Sequence, residues 1–202
     1  MTVVLIPASR VARWVANFTE RHGVVALSVH GAALNGRAED GTTFVARLPF
    51  DSAYDGPATA EGFTAAMTAP GDWGVLLVRK GGFAVARLAG TTLVEHKVGQ
   101  RHVQGRTKAG GQSQQRFARR RDNQARQAYE AAADHAARLL AGLGPVVTGG
   151  DRPAVQEVLA DRRLAGLEVV GPWLPVPDPR RRQLDAAIAE AGAADIEIIE
   201  SG

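Results

Sequence analysis

An α+β fold, a mixed β-sheet with flanking helices behind a small amino-terminal α/β extension, is what three features of this sequence predict. Residues 73–98 hold three apolar runs separated by two glycine-containing turns, the pattern of a three-strand meander. Residues 113–143 hold the longest helical periodicity of the chain. Around both, short strand-like and helix-like segments are interleaved.

Taken in order, residues 8–22 place Val11, Trp14, Val15 and Phe18 at helical spacing. After Gly23, residues 24–29 and 42–47 are β-rich and read as a hairpin with a polar loop between them. The stretch 49–57, with its prolines and glycine, reads as a link, and 59–68 as a short helix. Residues 1–70 form the extension and 71–202 the main domain. The meander follows as 75–79, a Gly81-Gly82 turn, 83–88, a turn at Ala89-Gly90-Thr91, and 92–98. A basic loop, 99–109, leads to the long helix. There Phe117, Ala125, Ala128, Tyr129, Ala132, Ala136, Leu139, Leu140 and Leu143 make one apolar stripe that Gly144-Pro145 stops. A strand at 146–148, a Gly149-Gly150-Asp151 turn, a helix at 153–162, a strand at 167–170, a helix at 179–191 and a strand at 195–199 complete the chain. Trp14, Trp73 and Trp173 read as packing residues.

At 202 residues the chain is long enough to bury a normal core as one domain with an appendage. It has no cysteine, which excludes disulfides, thiolate nucleophiles and Cys-type zinc sites. No apolar run approaches the ~20 residues of a membrane span, and the amino end lacks the basic stretch of a signal peptide. The expectation is a cytoplasmic protein without membrane contact. Five histidines without ligand spacing give no reason to expect a metal, and nothing implies a cofactor.

The charge is informative once located. Between Lys97 and Arg126 stand nine basic residues and one acid, Asp122, for +8, whereas the whole chain carries +3 and everything outside the window therefore −5. Charges this dense, with almost no acidic i,i+4 partners, repel one another unless a polyanion binds. Arg101, Arg106, Lys108, Arg116, Arg119, Arg120, Arg121 and Arg126, with Ser113 among them, are the candidate RNA-binding residues.

Inside this window lies Gly110-Gly111-Gln112. Two glycines permit positive φ and close backbone approach, so they carry Gln112 at the tip of a thin probe. The helix that follows offers free N–H groups and a positive dipole end to phosphate. Glutamine does not titrate, so Gln112 can act only by position, orienting water or stabilising an oxyanion. Ser113 lacks the strand-Ser-helix elbow of a hydrolase and reads as a helix cap. Gly149-Gly150-Asp151 lacks the Lys-Ser/Thr or third glycine of a nucleotide loop and reads as a turn with a helix cap.

The extended string Gly-Gly-Gln-Ser-x-x-Arg-Phe-x-Arg-x-Arg, here 110–121, resembles the catalytic loop and supporting helix of the middle domain of eukaryotic and archaeal class 1 peptide-chain release factors. The meander before it agrees, and the resemblance covers the motif-bearing core 73–172. It implies a release-factor middle-domain-like fold and a peptidyl-tRNA hydrolase whose Gly110, Gly111 and Gln112 are catalytic. Its partners would be the large ribosomal subunit, through rRNA, and peptidyl-tRNA, with the protein a monomer. In that family ribosomal RNA and the terminal ribose of the tRNA supply the remaining groups. Residues 1–72 hold no motif of the stop-codon-reading domain, so the chain looks most like the actinobacterial Vms-like release factors, which free nascent chains from stalled or split large subunits irrespective of codon. The preference for arginine, 21 against 3 lysines, suits an actinobacterial member. Relatives in that group often carry a modified Gly-x-x-Gln loop, whereas the tripeptide is uninterrupted here. The alternative is a non-catalytic ribosome- or RNA-binding rescue module of the Pelota type, although such domains lack Gly-Gly-Gln.

Overall fold

The computed structural model describes residues 1–100 and 112–201. The chain forms two compact units, Met1–Ala69 with Ile188–Gly202, and Pro70–Ala187. The first opens with β1 (Thr2–Ile6), α1 (Ala8–His22), β2 (Val25–His30), β3 (Ala33–Ala38), β4 (Thr43–Arg47) and α2 (Ala60–Ala66). The second runs through β5 (Asp72–Arg79), β6 (Gly82–Ala89), β7 (Thr92–Gln100), α3 (Gln112–Leu140), β8 (Val146–Gly150), α4 (Arg152–Leu159), β9 (Val169–Leu174) and the start of α5 (Arg181–Ala191), whose residues from Ile188 belong to the first unit. The last strand, β10 (Ala194–Ile199), returns to the first unit. Two sheets with packed helices make this an α+β fold, as the sequence predicts.

The first unit is a fully antiparallel sheet in the order β1-β10-β4-β3-β2. Along β2 the half-buried Val25, Leu27 and Val29 alternate with the exposed Ala26, Ser28 and His30, the period-2 signature of a strand with one inward face. Val11 and Phe18 of α1 are buried against that face, where Trp14 and Phe18 meet Phe44 edge-on at centroid distances of 5.0 and 5.1 Å. The expected hairpin is corrected here. Residues 24–29 pair not with 42–47 but with β3, which lies in the segment read as a polar loop, and β3 in turn pairs with β4. Gly36 sits in the middle of β3 because any Cβ there would run into the Phe44 ring. The carboxy-terminal strand, expected alongside the main domain's elements, instead inserts between β1 and β4.

The second unit is a mixed sheet in the order β7-β6-β5-β8-β9. Strands β5, β6 and β7 form the antiparallel meander, and β8 and β9 add in parallel to β5. Leu76, Val78, Phe83, Val85 and Val146 pack with Ala132, Ala136, Leu139 and Leu140 of α3 and Val155 and Val158 of α4. Each fully buried leucine or valine contributes about 1.5–3 kcal/mol. The residues of α3 described as buried are mostly alanine, Ala125, Ala128, Ala132, Ala133 and Ala136 beside Leu139 and Leu140, which lets the helix axis lie close to the sheet. That helix ends at Leu140, before the Gly144-Pro145 stop, where Gly142 takes a left-handed φ of 73°. Trp73 is buried with its Nε1 donating to the Gly90 carbonyl at 2.7 Å, Trp14 packs on the first core and Trp173 on the second, as packing residues should.

One turn in this unit depends on glycine. Gly150 has φ of 101°, and a Cβ there would run into the Val78 carbonyl oxygen. Gly150→Val is therefore expected to destabilise the fold by about 3 kcal/mol or more, through positive-φ strain and the backbone collision together. Gly71→Ala, which meets nothing within 4 Å, is expected to leave stability unchanged. Urea unfolding midpoints at constant slope check both.

Candidate functional site

The register of the second sheet gathers one end of all five strands. Arg79 pairs with Gly82, Gly82 with Gln100, Val78 with Gly150, and Gly149 with Leu174. The carboxyl ends of β5, β7, β8 and β9 and the amino end of β6 therefore share one edge, the side of an α/β sheet where ligands ordinarily bind. From this edge the chain leaves β7 at Gln100, and α3 begins at Gln112. Thus 11 residues connect the sheet edge to the helix that returns across it.

Gly110 and Gly111, with Arg101, Arg106 and Lys108, lie outside the described residues. Gln112 is the first residue of α3. Ser113 is the second, so it stands inside the first turn rather than before it, which corrects its expected place as the cap. Positions 116, 119, 120 and 121 follow within the next two turns, and Arg126 is exposed beside the buried Ala125.

The helix has 29 residues, about 43 Å of length. Among its described side chains the buried positions run from Ala125 to Leu140, about 24 Å, close to the ~27 Å of the eight-residue β6 that it crosses. Amino-terminal to Ala125 the helix continues through residues 112–124. The carboxy-terminal half is anchor; the amino-terminal part carries the charge.

The two parts differ in how charge is balanced. In the anchor, Arg138 pairs with Glu95 of β7 at 2.7 Å, and Asp134 pairs with Arg163 at 2.7 Å. Arg163 also bonds Asp161 through its guanidinium and its backbone N–H, which hold that carboxyl down to about 2. His135 lies against Phe83 at 5.6 Å; burial, then Lys97 and Arg138, push its pKa down, which favours the neutral ring in this packed position. In sequence, residues 112–126 hold five arginines, Arg116, Arg119, Arg120, Arg121 and Arg126, and one acid, Asp122, and no acid stands in the first turn of α3. Cations near a helix amino terminus work against its dipole, so this arrangement favours an anionic partner at that end.

Sequence reading did not single out the cations of the sheet edge. Arg79 donates to the Val176 carbonyl at 3.2 Å, Lys80 is exposed in the β5–β6 turn, and Arg152 opens α4 with its guanidinium 4.4 Å from the Trp173 ring centroid. Only the strand register reveals that they share the edge with the departure point of the loop. Asp151, expected as the cap of α4, does precede that helix, but its side chain makes no capping hydrogen bond; its backbone N–H donates to the Val78 carbonyl at 2.8 Å. Among the described residues, no group of three His, Cys, Asp or Glu side chains converges as a metal site would require, and no helix is long and apolar enough to cross a membrane.

No curated protein matches the chain. Among protein-family models, that of the Actinobacteria/chloroflexi VLRF1 release factor matches residues 71–197.

Proposed function

The chain belongs to the Actinobacteria/chloroflexi VLRF1 release factor family, and from that premise we propose that it is a codon-independent peptidyl-tRNA hydrolase freeing nascent chains from stalled or split large ribosomal subunits. A release factor works in translation termination or ribosome rescue and meets the ribosome to do so; the proposal adds the substrate, the chemistry and the residues. The observation that carries it is the uninterrupted Gly110-Gly111-Gln112, set between the edge strand β7 and the first turn of an arginine-rich helix. Two glycines keep the probe thin. Gln112, at the helix start, has a backbone N–H free of intrahelical partners and a side-chain amide, either of which can orient water or bind the developing oxyanion of a tetrahedral intermediate. Ribosomal RNA and the terminal ribose of the tRNA supply the other groups, so the reaction needs no acid, base or metal from the protein.

In this reading Arg101, Arg106, Lys108, Ser113, Arg116, Arg119, Arg120, Arg121 and Arg126 hold rRNA and tRNA backbone, and no cofactor takes part. The catalytic segment lies within the family match of 71–197, in the unit Pro70–Ala187, and residues 1–70 together with β10 are an extension to it. The protein acts as a cytoplasmic monomer. The test is release of nascent peptide from purified large subunits carrying peptidyl-tRNA.

Codon independence is the part of the proposal that reads residues 1–72, which carry no decoding motif, as taking no part in the choice of codon. Complexes presenting a sense codon, a stop codon or no codon are expected to release peptide at equal rates once the A site of the large subunit is open. Release confined to stop codons would show that those residues read the message after all.

A further inference from the structure

We propose that the groove between α4 and the edge strand β9 is a binding site for one unpaired nucleotide of RNA, clasped by Arg152 and Trp173. The proposal rests on the reading above only in taking RNA as the partner. The groove has a volume of about 280 Å³, and its walls include Thr148, Arg152, Val155, Gln156, Leu159 and Trp173. That volume is at the lower end of the ~300–1,000 Å³ usual for small-molecule sites, which suits a single planar ring with its sugar rather than a larger cofactor.

The wall chemistry matches a nucleotide group by group. The Arg152 guanidinium carbon lies over the Trp173 ring, 4.4 Å from its centroid, so a cation already sits on the indole face. Unpaired bases stack on aromatic rings and on guanidinium planes, and the same cation can reach the phosphate beside the base. Gln156 offers both a donor and an acceptor to a base edge, and the hydroxyl of Thr148, a residue only 4% exposed, adds a second polar group at the groove wall. Val155 and Leu159 supply apolar flanks.

Charge distribution on α4 points the same way. Residues 152, 155, 156 and 159 share one helix face by their i, i+3, i+4, i+7 spacing, and that face lines the groove. Asp151 and Glu157 bear instead on Tyr129 of α3, whose phenol pKa is raised by burial first and by those two carboxylates next. Among the described residues of the lining, Arg152 is the one with a charge, so a phosphate entering there meets a cation and no described carboxylate. Trp173 precedes Leu174, the partner of Gly149, which puts the groove at the same sheet edge from which the chain leaves β7.

The experiment uses the full chain and fluorescence anisotropy with end-labelled hexauridylate and hexaadenylate, and with an RNA duplex of equal length. Arg152→Glu and Trp173→Leu are expected to weaken single-strand binding by about tenfold or more, Trp173→Phe to restore it, and none of them to alter duplex binding by more than about twofold. Circular dichroism establishes that each variant is folded; should Trp173→Leu unfold, the exposed Arg152→Glu and its partner Arg152→Gln decide. Wild-type single-strand affinity in the Arg152 variants, or equal weakening towards strand and duplex, overturns the groove. Peptide release by the same preparations separates the two ideas. Normal release with unaltered single-strand binding in the variants sinks the nucleotide site alone, whereas the expected variant pattern in a protein that releases no peptide supports the groove and sinks the catalytic reading alone.

Discussion

Gln112→Ala is expected to lose peptidyl-tRNA hydrolysis by about 10²- to 10³-fold, the usual effect of deleting one positioned hydrogen-bonding group at an ester-cleaving centre. The loss should fall on the chemical step and leave folding and ribosome binding intact. Alanine is the strongest helix former, so replacing the first residue of α3 with it does not weaken the helix start. Among the described side chains, the buried positions that hold this helix run from Ala125, more than three turns away. Binding, meanwhile, is assigned to the arginines and not to a neutral amide. The measurement is single-turnover release from large subunits carrying peptidyl-tRNA, with sedimentation to confirm occupancy. Wild-type release by Gln112→Ala would remove catalysis from the tripeptide and leave a ribosome-binding rescue module.

The parts of the fold that local pattern determines were legible in the sequence. Helix α1 is announced by Val11, Trp14, Val15 and Phe18, and the meander by apolar runs broken at Gly81-Gly82 and Gly90, because periods of 3.6 and 2 residues are set by the backbone itself. What depends on distant partners was not. Asn35, Gly36 and Arg37 look like a polar loop until Phe44 is known to lie across Gly36, and no local signal tells that β10 inserts between β1 and β4, over 140 residues away in sequence. The same division runs through the candidate site. Gly110-Gly111-Gln112 and the arginine run are contiguous and visible at once, whereas Arg152 and Trp173 meet only through the parallel pairing of β8 with β9. Ser113 shows a finer limit: a serine at a helix start reads equally as cap or first-turn residue, and helix ends inferred from pattern are uncertain by that one position.

The triple reversal Arg119→Glu, Arg120→Glu, Arg121→Glu should have the second large effect, on binding. It takes the window from Lys97 to Arg126 from +8 to +2. If each arginine neutralises one phosphate, the log-log dependence of affinity on salt should flatten by about 2 to 3, at roughly 0.7–0.9 per contact. Taking about 1 kcal/mol for each exposed charge-assisted contact, affinity for large subunits should fall roughly 10²-fold at fixed salt. Unfolding would be a poor explanation for such a loss, since glutamate and arginine have similar helix propensities. The anchor's own ion pairs, Arg138 with Glu95 and Arg163 with Asp134, lie elsewhere and keep their partners. Sedimentation with large subunits across a salt series gives both quantities at once. The informative comparison is with Gln112→Ala: the reversal should lose binding, and release only as occupancy falls, so that saturating protein recovers part of the rate, while the Gln112 variant stays slow at full occupancy. Unchanged affinity and slope in the triple variant would remove the arginine helix from the interface and with it the electrostatic half of the assignment.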